Sequence, residues 1–411
     1  MDRAAHLPLP SGFDPFSLEF RADPRAYFPM LIEQSPGLIS MQGVPSAYVA
    51  AFAHTRTVLR DYKTYSSVKP PGLPGMERID FFNGQPVMNY SDPPDHMRRR
   101  LVVNASFTPK RVQRLDQAAA AFAERLLDRA DRAGHGGTVE AVGEICKPLS
   151  VEVLLGALMN VAEADRRIFF NYLSTLPLLD QLRPGDPKPQ AFLDAWAAGE
   201  AYCREAVARA RREPSDDLIS LIAAAAAEGG SLSDAEMMAM LVVLFSGGIS
   251  TMAGAASAAL LKLALHPEVR ERVRRDPALA SNVLEEALRL HAPVMMVMRF
   301  ANADTELAGR RIARGTPVYV MIAAANYDAA AFPDPDRFDI DRPNLKDQLA
   351  FGFGIHTCIG NAITRSVVPM LIRAMVARFP DFRLAAADAP PSWEAQTPRA
   401  RHLAQLRLAL R

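Results

Sequence analysis

Apolar positions along this chain follow two rhythms. Between residues 37 and 52, Gly37-Leu-Ile-Ser-Met41 and Ala47-Tyr-Val-Ala-Ala-Phe52 flank a turn at Val44-Pro45 and predict paired strands. A short helix is expected over 55–62. From residue 93 onward the spacing turns helical. Segments 109–132 and 142–158 each read as a long amphipathic helix, while 165–173 and 190–212 flank a proline-rich connection at 184–189. Ser233-Asp-Ala-Glu236 is a capping box, in which two side chains satisfy the first free amide groups. It opens a helix predicted to reach about residue 265, ahead of His266-Pro267. At 1.5 Å per residue that helix is ~48 Å long, enough to cross a domain. A helix over 280–291, β-like runs at 293–300 and 317–322, a Pro/Asp-rich meander at 328–347 and a last helix at 359–379 follow. Helices far outnumber strands, and the β-rich parts lie near 35–55, 293–322 and 381–411. The expected fold class is mainly α with small β-sheets, in a single domain over 1–411.

Segment 237–261 changes this picture only briefly. It carries no charge over 25 residues, which by length spans a bilayer. Ser246, Gly247, Gly248, Ser250, Thr251, Gly254 and Ser257 interrupt it, and no basic cluster flanks its start. A helix apolar all round also forms the buried centre of a large soluble protein, and that is the reading taken, with no membrane partner. Residues 1–16 lack the basic and apolar regions of a secretory signal. With 47 Lys+Arg against 46 Asp+Glu the net charge is +1, which argues against a nucleic-acid partner gripped through its phosphates. Hydrophobic residues at 49% exclude intrinsic disorder. Cys146, Cys203 and Cys358 form no close pair and no CxxC unit, so neither a disulfide framework nor structural zinc is expected. A reducing, cytoplasmic setting fits them.

The chemistry concentrates in Phe351-Gly-Phe-Gly-Ile-His-Thr-Cys-Ile-Gly360. A cysteine stands at the mouth of a helix behind a glycine-rich turn, where glycine lets the backbone approach a flat partner closely. A thiolate there is stabilised by the helix dipole and free amide groups. A single thiolate without clustered histidines suits an axial haem ligand better than zinc. The bland alternative is a buried cysteine in a turn.

This stretch resembles the haem loop of the cytochrome P450 family, Phe-Gly-x-Gly-x-His-x-Cys-x-Gly, at every fixed position. The resemblance extends from about residue 14 to the carboxy terminus. It implies the cytochrome P450 fold, with the long central helix lying over haem b (iron protoporphyrin IX) and Cys358 as the metal ligand. Phe351, Gly352 and Gly360 belong to the same cofactor loop. Glu286-Ala-Leu-Arg289 matches the family's Glu-x-x-Arg helix and Phe338-Asp-Ile-Asp-Arg342 its meander, so Glu286, Arg289 and Arg342 are implied to form a structural triad. In Asp92-Pro-Pro-Asp-His-Met-Arg-Arg-Arg100, the match assigns His96 and Arg100 to the haem propionates, with Arg299 and His356 as further partners. Gly247-Gly-Ile-Ser-Thr251 lines up with Ala/Gly-Gly-x-Asp/Glu-Thr, which implies catalytic roles for Gly248, Ser250 and Thr251, the threonine helping protons reach dioxygen. Paired glycines are expected to distort this helix locally.

Two positions depart from the family. Ser250 stands where a carboxylate is usual, and a hydroxyl is a poor acid. Thr364-Arg365-Ser366-Val367 stands where Ala-Arg-x-Glu is usual.

The resemblance implies an oxidoreductase, a haem-thiolate monooxygenase that inserts one atom of O2 into a hydrophobic small molecule by C–H hydroxylation or O-dealkylation. Its implied electron source is an iron–sulfur ferredoxin with its reductase, and the basic run Arg98, Arg99, Arg100, Lys110, Arg111 and Arg114 is expected to steer an acidic donor. Phe81, Phe82, Met88, Phe170, Ile249, Met252, Met295 and Met296 are the expected substrate pocket. Segment 69–84, with Met76, Ile79, Phe81 and Phe82, reads equally as a functional loop or as a surface loop anchored by aromatics. The rival functions are peroxide-driven oxidation or non-oxidative haem chemistry, and a non-catalytic haem protein that binds ligand.

Overall fold

The two strands expected near the amino terminus form, and their sheet is completed from the far half of the chain. The computed structural model describes residues 17–41, 44–73, 77, 80–85, 87–104, 107–132, 137–183, 185–226, 232–385, 391–394, 397 and 399–410. Met76 and Ile79 therefore lie outside the described residues. Gly37–Met41 pairs antiparallel with Val44–Val49, which runs parallel to Pro317–Val320; Val297–Ala301 and then Tyr65–Ser66 follow on the other side. Pro317–Val320 is buried throughout, as a strand in mid-sheet covered on both faces should be. The next helix is Phe52–Arg60, starting earlier than its sequence suggests. The Asp328 carboxylate accepts the Phe52 N–H at 2.8 Å, a cap supplied from far along the chain.

The central helix is Asp234–Leu265, 32 residues opened by the expected capping box: Ser233 Oγ accepts from the Glu236 amide at 3.2 Å, and Glu236 Oε2 from the Ser233 amide at 2.9 Å. By length and composition it is apolar enough to cross a membrane, yet 67% of its most apolar window is buried inside the protein. Ala280–Leu290 and Asn361–Arg378 pack against it and against each other, and Lys147–Val151 and Gln190–Arg212 cover further sides. Phe245 on this helix stacks on Phe169 at 3.8 Å and meets Tyr202 edge-on at 6.2 Å.

Two helices differ from their sequence pattern. Segment 142–158 is α-helical only over Lys147–Val151, with wider π turns over Val142–Cys146 and Glu152–Leu158. Pro148 has no N–H for the carbonyl one turn back, so the regular ladder is broken there. Arg166–Leu179 runs on past residue 173 with Pro177 inside it.

Candidate active site

The loop before Asn361–Arg378 is shaped by backbone that only glycine adopts at ease. Gly352 and Gly354 sit at φ +71° and +76°. A Cβ on Gly354 would lie 2.6 Å from the Leu59 carbonyl oxygen, and one on Gly360 would reach within 3.9 Å of the Cys358 sulfur. The Cys358 amide closes the loop by donating to the Phe351 carbonyl at 2.7 Å. Cys146 and Cys203 are buried, and Cys358 is the exposed thiol. The residue is exposed, yet protein crowds its thiol: burial is the largest influence on that group and raises its pKa. Hydrogen bonds from the Gly360 and Asn361 amides and the charges of Arg100 and Arg365 pull the other way. This is an acid held back by low polarity and ready to ionise against a cationic partner.

Beside it, four basic side chains share one region. His96 is 0% exposed, and neither ring nitrogen has a hydrogen-bond partner. Its ring lies 4.2 Å from that of His356, whose Nε2 meets Ser67 Oγ at 2.9 Å. Buried Arg299 donates to the Met298 carbonyl at 2.7 Å, and Arg100 to the Thr357 carbonyl at 2.6 Å. Burial, then the charge of Arg100, pushes His96 down to about 4. Burial, then Arg299, pushes His356 down to about 2. Burial lowers Arg299 to about 10. Asp92 offsets this at His96 and Arg299, and both its oxygens are engaged, by Ser66 Oγ at 2.5 Å and the Ser67 amide at 3.0 Å. Two arginines and two imidazoles kept neutral by burial, with both His96 ring nitrogens unpartnered, fit a ligand carrying carboxylates, which the arginines can pair and the imidazole N–H groups can reach. A porphyrin with two propionates and an iron for Cys358 meets both demands.

Glu286 and Arg289, both 0% exposed, are joined by bonds of 2.8 Å from Nε and Nη2, and Arg342 Nε reaches the same carboxylate at 3.0 Å. Arg289 also donates to the Asn326 carbonyl at 2.9 Å, and Arg342 to that of Asp334 at 2.7 Å. The three residues thus tie the helix Ala280–Leu290 to the meander that leads into the cysteine loop.

On the central helix, accessible surface appears in mid-span at Leu244, Ser246, Gly247, Gly248, Ser250 and Thr251. The expected distortion is absent: the helix continues through both glycines. Thr251 Oγ1 donates to the Gly247 carbonyl at 2.9 Å, so its hydroxyl already supplies the bond that a break would need. Gly248 admits Leu154, whose Cδ1 would be 2.6 Å from an added Cβ.

The expected substrate residues do not converge on one surface. Ile249 and Met252 are buried, about 200° and 140° round the helix from Gly247, on the core side. Phe170 is 41% exposed; its neighbour Phe169 is the one that turns inward. Met295 borders a small cleft with Phe20, Pro24, Thr397 and Arg401, and Met296 is buried. Phe82 and Met88 are buried, and Phe81 is half-buried beneath the Arg399 guanidinium, 4.3 Å from its ring. The Tyr172 hydroxyl donates to the Phe81 carbonyl, and Asp80 binds Lys188 at 2.6 Å and Lys69 at 3.3 Å. Sequence reading missed this lacing of segment 69–84 to the 184–189 connection, because the partners are far apart in the chain.

The basic run is also less open than expected. Arg98 and Arg99 both bind Glu236, Arg111 and Arg114 both bind Asp216, and Arg100 turns to the cysteine loop. The Lys110 side chain lies outside the described residues.

Comparison with known proteins gives concordant results. The family model described as Cytochrome P450 matches residues 37–394. A steroid C26-monooxygenase of Mycobacterium tuberculosis is 32% identical over 303 residues, covering 74% of this chain and 80% of that protein. Cytochrome P450 107B1 of Saccharopolyspora erythraea is 34% identical, covering 82% and 81%. Among solved structures, the myxobacterial cytochrome P450 CYP267B1 in complex with myristic acid superposes with a TM-score of 0.85 at 27% identity, covering 96% of this chain and 98% of that one.

Proposed function

Since the chain belongs to the cytochrome P450 family, we propose that it oxidises a hydrophobic small molecule with one atom of dioxygen, taking electrons singly from an external iron–sulfur ferredoxin. It is a cytochrome P450 monooxygenase, and the family's cofactor is a haem with thiolate ligation. The observation that carries the assignment of residues is exposed Cys358 in the same region as His96, Arg100, Arg299 and His356, two arginines and two imidazoles with both His96 nitrogens unpartnered. His96, Arg100, Arg299 and His356 would hold the propionates of that haem, and Cys358, as a thiolate, would hold its iron.

Bound there, the haem supplies oxidising chemistry that no side chain provides. The protein does the rest. The amides of Gly360 and Asn361 steady negative charge on the Cys358 sulfur. Thr251 holds a proton on a hydroxyl whose present acceptor is the carbonyl of Gly247, and a χ1 rotation frees it to donate away from the helix. Ser250, half-buried one position earlier, adds a second hydroxyl in place of an acid. The apolar flanks of the central helix limit water to the stretch around Gly247 and Thr251.

The substrate class proposed is the hydrophobic small molecule. Relatives named for a steroid and crystallised with myristic acid support the same class. The test is spectral. Protein loaded with iron protoporphyrin IX should give the thiolate-type spectrum of its reduced carbon-monoxide complex, and Cys358→Ala should abolish it. Retention of that spectrum by the variant would remove Cys358 as ligand. Titration of the wild type with steroids and fatty acids should shift its Soret band, and hydrophilic acids of similar size should not.

A further inference from the structure

The glutamate that the family places two residues after Arg365 is Val367 here, 1% exposed among apolar side chains, where a carboxylate has no role. A different glutamate holds the arginine. Glu285, 5% exposed on Ala280–Leu290, accepts from Arg365 Nε at 2.6 Å through Oε1 and from Arg365 Nη2 at 3.2 Å through Oε2. Its Oε2 also accepts from Gln348 Nε2 at 2.9 Å, and Gln348 Oε1 accepts the Ala350 amide at 2.6 Å. One carboxylate therefore grips both shoulders of the cysteine loop: the approach at Gln348–Ala350 and the exit helix at Arg365.

Arg365 extends the grip inward. Its guanidinium carbon stands 4.5 Å above the ring of Phe351, the first residue of the loop. Its Nη1 lies 3.4 Å from Asn361 Oδ1, and the Asn361 side-chain amide donates to the Cys358 carbonyl. The cation thus touches the loop at both ends and sits close enough to act electrically on the sulfur. Its charge lowers the Cys358 thiol pKa. Glu286, the next residue, points the other way, to Arg289 and Arg342. The pair of adjacent glutamates divides the work between meander and loop.

Resting on the haem-thiolate reading above, we propose that Glu285 and Arg365 are a positioning pair that fixes the cysteine loop from both sides and sets the reduction potential of the iron bound at Cys358. A cation near the thiolate stabilises the reduced, more electron-rich centre, and Glu285 offsets part of that charge. Removing each charge must then move the potential in opposite directions, whereas simple loosening of the loop moves both variants alike.

The experiment is a one-electron redox titration of the haem-loaded full chain as wild type, Arg365→Met, Arg365→Lys and Glu285→Gln. The lifetime of the thiolate-type reduced carbon-monoxide spectrum is followed in parallel. Glu285→Gln should favour the ferrous state and Arg365→Met the ferric state, each up to tenfold in the equilibrium constant, about 59 mV for one electron. Arg365→Lys keeps the charge but loses the two-pronged bond and the ring stack. Its potential should stay near wild type while its thiolate lifetime shortens several-fold. Shifts of the same sign, or no shift in either charge variant, overturn the proposal. A wild-type lifetime in Arg365→Lys overturns its positioning half. Should Arg365→Met fail to retain haem, Glu285→Gln and Arg365→Lys still decide the matter. A wild type lacking the thiolate spectrum defeats the underlying haem reading instead, so the two failures are distinct.

Discussion

Replacing Glu286 by glutamine is the sharpest test of how the cysteine loop is supported. The carboxylate accepts four bonds: Arg289 Nε at 2.8 Å on Oε2, with Arg289 Nη2 at 2.8 Å, Arg342 Nε at 3.0 Å and the Asp339 amide at 3.1 Å on Oε1. Glutamine has the same shape, but it turns one acceptor into a donor facing donors and leaves two buried guanidinium groups without their anion. Breaking a buried ion pair by removing one partner costs about 3–5 kcal/mol. An unfolding entropy of ~2.1 cal/mol/K per residue gives about 0.9 kcal/mol/K for a chain of this size, so Tm should fall by roughly 3–6 °C. The control is Arg272→Ala, which breaks the exposed pair with Asp341 and should cost under about 1 kcal/mol. Scanning calorimetry on the haem-loaded proteins reads both. Glu286→Gln should also lose haem faster than wild type, because the meander it ties leads into the loop. A Tm drop no larger than the control, with haem retained, would refute the view that this carboxylate organises the loop.

Gly354→Ala should cost far more haem retention than Gly352→Ala. Both sit at positive φ, but only the former drives a Cβ to 2.6 Å from a backbone oxygen; the nearest atom to the latter is 3.6 Å away. Haem content per polypeptide after purification checks this. In the porphyrin-free chain, His96 has a folded pKa of about 4 against 6.5 unfolded, so the unfolded chain binds the extra proton. Its contribution is fully present above pH 6.5 and is lost as pH falls from 6.5 toward 4, by up to roughly 3 kcal/mol. Loading with haem supplies carboxylates that raise this pKa, and urea melts at pH 7.5 and 5 should show a smaller pH dependence in the loaded protein; equal slopes contradict the assignment. Ser250→Asp should raise product formed per NAD(P)H consumed, measured with ferredoxin and reductase, and no change or a drop places proton delivery elsewhere.

What was legible in the sequence was local chemistry. The cysteine loop announces itself because positive-φ glycines, a cysteine and a helix start all fall within ten residues, and the capping box at Ser233 and Glu236 is equally local. The phase of a helix about its own axis is not local. Phe169 and Phe170 are equally apolar, and the stack on Phe245 selects the first. Ile249 and Met252 sit near Thr251 in sequence but about 160° and 100° round the helix from it, on the buried side, since the central helix is apolar all round and carries no signal of which face meets core. Partners from distant segments were invisible for the same reason. Glu236 and Asp216 engage four arginines that looked like one basic surface, and nothing local to Glu285 marks it as the partner of Arg365, 80 residues away.

That redistribution of charge bears on how the protein acquires its cofactor. Arginines whose acids are supplied by the fold, such as Arg98 and Arg99 on Glu236, contribute to the apoprotein itself. His96, Arg299 and His356 do not: burial, with the neighbouring positive charges, holds their basicity down, and Asp92, the acid that acts on His96 and Arg299, is committed to Ser66 and Ser67. These donors are thus held away from water without an anion to receive them, and a dianion that binds only the folded state shifts folding toward itself. A porphyrin dimethyl ester keeps the iron and the ring but carries no charge for these residues. It should therefore bind Cys358 yet return much less of the stability that protoporphyrin restores. If the diester protects against unfolding as well as the free diacid does, the cluster of His96, Arg100, Arg299 and His356 is not the propionate site.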